Sequence, residues 1–481
     1  METLKYETLL DLVGGERRVP RSLGDRVLRD PATGEEVSPM VVTPDDRLEQ
    51  ALQTAADVHH SGSWRQLSPE DRAMALEAVA ASLESDLDTI ARLESLSTGV
   101  VIRTTRRLTG ILPVIFRRAA EITRRFGDGV SLPGEGGEVE VLRCARGPAL
   151  CLAPWNSPAP IAAHKAASAL GAGCPVILKP SEYTPFSAHW LASAAVRAGL
   201  PDGVLQLVYG GPQTGARLVR DPRIRAVSFT GGLSAGRAIG QVCAERMVPV
   251  QLELGGNNPF VVLEDAGPQQ AADSLVTALT TLNGQWCRAP GRLILHESLG
   301  PAVLELTEAG LNRLRPGHPL DEEADYGPLV HGEHRRRLQD AVDRLTGPGT
   351  GMLRATAPLP EDGAWFAPAL ITGCSPEATL EEMFGPVAAV HGYRGEEEAL
   401  RLANQTPYGL AAWVFAGDTV RARAFSREIE AGGVQINGVG ITGLHPDAPR
   451  SAWGLSGIGD EGAAETWSFF TGCRVVGVHP D

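Results

Sequence analysis

The chain has 481 residues, too many for one simple core, so two or three domains are expected, and 43% apolar with 21% charged residues is ordinary globular composition. Lys and Arg total 44 against 58 Asp and Glu, a formal net charge of −14 that repels phosphate backbones and argues against nucleic acid as a partner. No apolar run approaches the roughly 18 residues of a membrane span, and "METLKYETLL" carries acids where a secretory leader has a basic stretch followed by an apolar core, so neither is expected.

The seven cysteines (Cys144, Cys151, Cys174, Cys243, Cys287, Cys374, Cys473) are odd in number, widely spaced and without a CxxC. A disulfide framework or metal centre is not expected, and a cytoplasmic protein fits this pattern.

Residues 45–125 read as helices. "SPEDRAMALEAVAASLESDLDTIARLES" opens on a Ser-x-x-Asp cap at Ser68, and Met74, Leu76, Val79, Leu83 and Leu87 recur at helical spacing. From about 141 strands and helices alternate. "ALCLAPWN" is a strand, "APIAAHKAASALGAG" a helix, "CPVILKPSE" a strand, "TPFSAHWLASAAVRAGLP" a helix and "VLQLVYG" a strand. A helix over 212–220, the strand "AVSFTGG" and a helix from about 234 continue the series. "PVQLELGG", "PFVVLE", "ADSLVTALTTLNG" and "GRLILHESL" form a second α/β segment, and "YGLAAWVFAGD", "RARAFSREIEAG" and "GVQING" repeat strand, helix, strand. Such alternation implies right-handed βαβ units and parallel sheets. Segment 346–363 reads as an exposed loop.

In open α/β sheets ligands collect beyond the carboxyl ends of strands. Asn156, Lys179, Glu182, the glycines after "VSFT" and Glu253 all fall at such ends. Gly231 and Gly236, in "FTGGLSAG", sit where a strand gives way to a helix, a place where backbone can approach a pyrophosphate. The spacing is G-x-x-x-x-G and equally fits a plain turn.

Eight short motifs follow one another along the chain: "APWNSP" (153–158), "LKPSEYTP" (178–185), "FTGG…G" (229–236), "LELGG" (252–256), "NGQWCRAPGR" (283–292), "EEMFGPV" (381–387), "YGLAAWVF" (408–415) and "LSGIG" (455–459). In that order they resemble the aldehyde dehydrogenase superfamily across nearly the whole chain. The resemblance implies an α/β fold in three parts. A Rossmann-like NAD(P)-binding domain would span 1–126 and 146–252, a catalytic α/β domain 253–450, and a small β oligomerisation flap 127–145 and 465–481. It implies Cys287 as nucleophile, Glu253 as general base 34 residues upstream, and Asn156 as donor to the oxyanion. Trp155, Lys179, Glu182, Gly231, Gly232, Gly236, Leu254, Glu382 and Phe384 would hold NAD, or NADP. No metal is implied, and a homodimer or homotetramer is.

The chemistry asks for these residue types. A thiolate attacks the aldehyde carbon, the thiohemiacetal loses hydride to a nicotinamide, and a carboxylate activates water against the thioester. Glu182 favours NAD, because a carboxylate accepts ribose hydroxyls and repels a 2′-phosphate. A CoA-acylating dehydrogenase would not need Glu253, and a catalytically silent binding protein would not need Cys287, Glu253 and Asn156 together.

Several positions depart from the family pattern. Gly232 replaces a serine, Leu282 an asparagine with Asn283 one step later, Asn257 a lysine, Gly454 a lysine, and Arg450 an aromatic. Ser157, His164, Trp286, Arg288 and Arg450 are expected to line the substrate tunnel, with the loop around 443–452. That lining favours a polar or carboxylate-bearing aldehyde, which arginine would hold by paired hydrogen bonds. The alternative is that the arginines pair with acids such as Asp447 or Asp460. Arg288 would also favour the Cys287 thiolate if it faced the sulfur.

Overall fold

The computed structural model describes residues 8–441 and 444–479. Residues 1–7, Gly443 of the expected tunnel loop and residues 480–481 of the expected flap lie outside the described residues.

Two large sheets organise the chain. The first has eight strands in the order Glu16–Arg18, Asp11–Val13, Leu205–Leu207, Val176–Lys179, Ala149–Leu152, Ala226–Thr230, Val250–Glu253, Gly457–Ile458. Its five central strands are parallel. Counted along the chain from Ala149–Leu152, their order is 3-2-1-4-5, so the winding reverses between Ala149–Leu152 and Ala226–Thr230. A crevice for a ligand opens at that reversal, beyond the strands' carboxyl ends. The second sheet has seven strands, ordered Gly351–Arg354, Ala369–Thr372, Val387–Tyr393, Pro290–His296, Asn258–Val262, Ala412–Phe415, Val434–Ile436.

The unbroken apolar runs follow from covering both faces of each sheet. Ala149, Cys151, Val176 and Leu178 enter the core on one side of the first sheet, while Leu150, Leu152 and Ile177 enter the core on the other. Phe260, Leu293 and Leu295 divide from Val261 and Ile294 in the same way across the second sheet. Successive side chains of a strand point to opposite faces, so each residue has its own core to fill.

The helix Pro69–Leu83 starts where expected, with Asp71 N donating to Ser68 Oγ at 3.1 Å and Pro69 in its first turn. Leu76, Val79 and Leu83 are fully buried, but Met74 is 56% exposed. It shares a helix with the core residues without sharing their face. The segment read as a loop over 346–363 contains the strand Gly351–Arg354, which pairs antiparallel with Ala369–Thr372 and closes one edge of the second sheet.

A third, three-stranded antiparallel sheet stands apart, with Gly137–Ala145 between Val130–Gly134 and Thr471–Val476. The helix Ala463–Phe469 precedes its last strand. Trp467 and Phe470 pack into the same core as Phe116 and Leu170.

Candidate active site

Cys287 follows a turn whose backbone is held in an uncommon conformation. Leu282 (φ 49°), Asn283 (φ 55°) and Gly284 (φ 73°) are consecutive left-handed residues, which costs a bulky residue such as leucine about 1–2 kcal/mol. The surroundings over-determine the turn. Asn283 Nδ2 donates to the Gly99 carbonyl at 2.9 Å and the Pro328 carbonyl at 2.8 Å, and Gly327 N donates to Asn283 Oδ1 at 3.0 Å. Val330 N donates to Gln285 Oε1 at 2.9 Å. Beyond this turn, Asn258 Nδ2 donates to the carbonyls of Cys287 (2.9 Å) and Ala289 (2.8 Å). Asn283 thus anchors the loop that leads to Cys287.

Asn156 ends the loop after Ala149–Leu152, and its Nδ2 donates to the Gln285 carbonyl at 2.8 Å. An amide nitrogen carries two hydrogens, so one fixes Asn156 to the loop that carries Cys287 and the second remains available to a ligand. Glu253 ends the strand Val250–Glu253 and is 5% exposed. Burial and the nearby Glu461 carboxylate push its carboxyl up to about 8, against the pull of Arg288, Arg450 and Lys165.

Cys287 keeps part of its surface open to a cleft. Burial, followed by the Glu253 charge, pushes its thiol up to about 12. Arg288 acts on it in the lowering direction, as the sequence suggested, but is outweighed. The resting sulfur is therefore a thiol.

The cleft, about 650 Å³, runs from the winding reversal to Cys287. Trp155, Asn156, Lys179, Glu182, Gly231, Gly232, Leu254, Glu382 and Phe384 all line it. Gly236 lies one layer down, where a methyl would stand 2.5 Å from Leu254. Gly231 and Gly232 bring bare backbone to the start of the helix Leu233–Glu245, the cradle a pyrophosphate needs. Glu382 rests on the Gly255–Gly256 turn, accepting from Gly256 N at 2.8 Å, and a side chain at Gly255 would collide with it. Burial pushes the Glu382 carboxyl up to about 7, against the Gly256 N–H. The Phe384 ring meets Trp155 edge-on at 5.3 Å. Lys179, 7% exposed, donates to the Pro180 carbonyl at 3.0 Å; burial lowers it and Glu182 opposes that. These donors and bare backbone fit a dinucleotide.

The five residues expected around the substrate do not line this cleft, and they do not form one group. The Trp286 ring turns into the catalytic core, 3% exposed, with its Nε1 donating to the Ala278 carbonyl at 3.1 Å and Trp413 5.7 Å away. Ser157 precedes the helix Pro158–Gly171. His164, two turns along, shares a 3.0 Å hydrogen bond with Thr466 Oγ1. Burial drives the imidazole down to about 4, so it is neutral at pH 7. Arg288 is half-buried and has no acid within 4.0 Å among the described residues. Arg450 pairs with Glu461 at 3.7 Å and not with Asp447 or Asp460, since Asp447 is taken by Arg118.

Sequence reasoning missed a charged group behind Glu253. Lys165, fully buried, donates to Ser228 Oγ (2.8 Å) and Glu461 Oε1 (3.3 Å). Burial raises the Glu461 carboxyl, but Lys165, Arg450 and His164 together hold it below the usual carboxylate range. The signal was a lone lysine inside the alanine-rich helix "AAHKAAS". It also missed His334 and Arg337, which line the cleft from the helix Gly332–Leu345.

The aldehyde dehydrogenase family model matches residues 22–476. A non-phosphorylating aspartate-semialdehyde dehydrogenase of Halomonas elongata is 36% identical over 90% of this chain and 88% of its own. Betaine aldehyde dehydrogenase 2 of Rhizobium meliloti is 33% identical over 93% and 92%. The crystal structure of betaine aldehyde dehydrogenase from Staphylococcus aureus with NAD+ superposes with a TM-score of 0.93 at 28% identity, covering 99% of this chain and 95% of that one. This chain belongs to the aldehyde dehydrogenase family and carries out NAD(P)-dependent oxidation of an aldehyde to a carboxylic acid.

Proposed function

We propose that this enzyme acts on aldehydes bearing an anionic group a few bonds from the carbonyl. The carrying observation is Arg288, half-buried beside the nucleophile with no carboxylate in ion-pair range among the described residues. A half-buried guanidinium with no acid partner has its paired donors free, and a substrate carboxylate would supply the partner. Arg450 stands near the same charges, in a long 3.7 Å pair with Glu461. The relative named for aspartate semialdehyde supports this reading, since that aldehyde carries a carboxylate. A trimethylammonium aldehyde such as betaine aldehyde would meet two guanidiniums.

In this reading the Cys287 thiol gives up its proton to solvent in the cleft, Sγ attacks the aldehyde carbon, and the carbonyl oxygen takes the electron pair. The second Asn156 N–H and the Cys287 backbone N–H receive that oxyanion, each such donor lowering the barrier by about 3–4 kcal/mol. Trp155, Lys179, Glu182, Gly231, Gly232, Leu254, Glu382 and Phe384 would hold NAD or NADP, with Gly236 allowing Leu254 its place. The dinucleotide supplies the hydride acceptor that makes the thiohemiacetal a thioester. Glu253 then removes a proton from water, whose oxygen displaces Cys287 Sγ and releases the acid.

Residues 1–126 and 146–252 would form the cofactor domain, 253–450 the catalytic domain, and 127–145 with 465–481 a flap joining subunits of a cytoplasmic homodimer or homotetramer. The open edge strands of the flap sheet support the assembly.

The test compares kcat/KM for aldehydes of equal length ending in carboxylate or carboxamide, in the wild type and in Arg288→Ala. A charge-assisted pair of hydrogen bonds is worth about 1.5–3 kcal/mol, so the carboxylate should be favoured about 10- to 150-fold, and the preference should vanish in the variant. Equal use of both substrates by the wild type would refute the substrate class.

A further inference from the structure

One end of the cleft is lined by Lys179, Glu182 and Gly211, the residue that precedes the helix Pro212–Arg220. Gly211 is bare backbone in a polar corner. A methyl built on it would stand 3.5 Å from Glu182 Oε1, 3.6 Å from Gln213 Oε1 and 3.8 Å from Arg26 Nη1. A carboxylate and a guanidinium from distant parts of the chain therefore face one small space.

Arg26 arrives there because its strand is interrupted. Arg21–Arg29 pairs antiparallel with Glu36–Val42, with Ser22 opposite Val41 but Val27 opposite Pro39. Leu23, Gly24, Asp25 and Arg26 are left against Met40 alone and bulge from the ladder. Gly24 takes φ 59°, which a side chain would resist, and Ser22 Oγ donates to its carbonyl at 2.9 Å. Leu28 and Met40 sink into the core on either strand, so the bulge stands on a fixed base.

Neither charge is taken by the protein. Arg26 has no acid within 4.0 Å, and Glu182 no cation, among the described residues. The two side chains suit different ligands. A free ribose offers hydroxyls, for which a carboxylate is the acceptor. A ribose 2′-phosphate brings about two negative charges at pH 7, which a carboxylate repels and an arginine accepts. A site for one dinucleotide needs only one of these side chains, and this corner holds both.

We propose that Arg26 is the specificity-determining residue that opens this site to NADP, taking the 2′-phosphate on its guanidinium, while Glu182 serves the free ribose hydroxyls of NAD. This rests on the dinucleotide placement proposed above, with its adenosine ribose at Lys179 and Glu182. The choice of cofactor is then set partly by a bulge in the N-terminal hairpin, outside the sheet that carries the cleft.

The experiment measures dissociation constants by isothermal titration calorimetry. The ligands are NAD+, NADP+, 5′-AMP and adenosine 2′,5′-bisphosphate, and the proteins are the full-length wild type, Arg26→Ala, Arg26→Lys and Glu182→Ala. The readout is the ratio of Kd for NADP+ to Kd for NAD+, and circular dichroism checks each fold. Arg26→Ala should raise that ratio at least ~tenfold, and the ratio of bisphosphate to 5′-AMP by a similar factor, since both changes remove one charge-assisted contact. Arg26→Lys should recover part of the loss, because an ammonium keeps the charge without the planar fork. Glu182→Ala should lower the ratio, by weakening NAD+ and relieving the repulsion of the 2′-phosphate. A ratio unmoved in Arg26→Ala but lowered in Glu182→Ala would remove Arg26 and leave the dinucleotide where it is placed. Ratios indifferent to both changes would remove the placement as well. A wild type that binds NAD+ and 5′-AMP but neither NADP+ nor the bisphosphate would overturn the proposal outright.

Discussion

The rate of thioester hydrolysis should follow the ionisation of Glu253. Its carboxyl is pushed up to about 8, because it is buried at a strand end and shares its surroundings with Glu461. Only the carboxylate can take a proton from water, so about a tenth of the enzyme is competent at pH 7 and about nine-tenths at pH 9. Where hydrolysis limits turnover, kcat should rise close to tenfold between those two values and level off above. Glu461→Gln removes the like charge that raises Glu253, and should move the rise to lower pH. Glu253→Gln keeps the shape and loses the base. It should release one NADH per site in a rapid burst and then turn over 10²- to 10⁴-fold more slowly. The assay is stopped-flow absorbance of NADH followed by steady-state turnover from pH 6 to pH 10. A wild-type kcat flat across that range after a full burst, or undiminished multiple turnovers by Glu253→Gln, would refute Glu253 as the base.

Asn283→Ala removes three buried hydrogen bonds worth about 1 kcal/mol each and puts alanine at φ 55°. It should lower kcat by one to two orders of magnitude with KM for NAD unchanged, as steady-state kinetics would record; Asn283→Gly, which tolerates that φ, should lose less. Leu178→Ala empties a fully buried position in a central parallel strand. It should cost about 2–5 kcal/mol by denaturant unfolding while leaving the Cys287 alkylation rate of the folded enzyme unchanged.

What was legible in the sequence is what short stretches of backbone decide. A strand end followed by Asn156, glycines before a helix, and a cysteine after Asn-Gly-Gln are each local arrangements, and the residues around the cleft came out of them. Two kinds of feature were not legible. Lys165 and Glu461 meet across 296 residues, and no local pattern records a contact at that separation. Side-chain direction was the other. Trp286 and Cys287 are neighbours, yet a ring in the core and a sulfur at the cleft follow from the left-handed turn before them. The strand Gly351–Arg354 hid among glycines and prolines because it is an edge with one partner, and that pairing belongs to Ala369–Thr372. Arg450 found Glu461 through the pairing of Arg450–Ser451 with Asp460–Glu461, which sets the two side by side.

The bond from Asn156 Nδ2 to the Gln285 carbonyl has a consequence for error. It ties the amide proposed to receive the oxyanion to the peptide two residues before the sulfur proposed to create it. A thermal displacement of the loop then carries donor and nucleophile in the same direction, and their spacing varies less than either position. Tolerance to jitter is thus built into the pair, and the loop can shift to admit an aldehyde without detuning the two atoms that must act on it together.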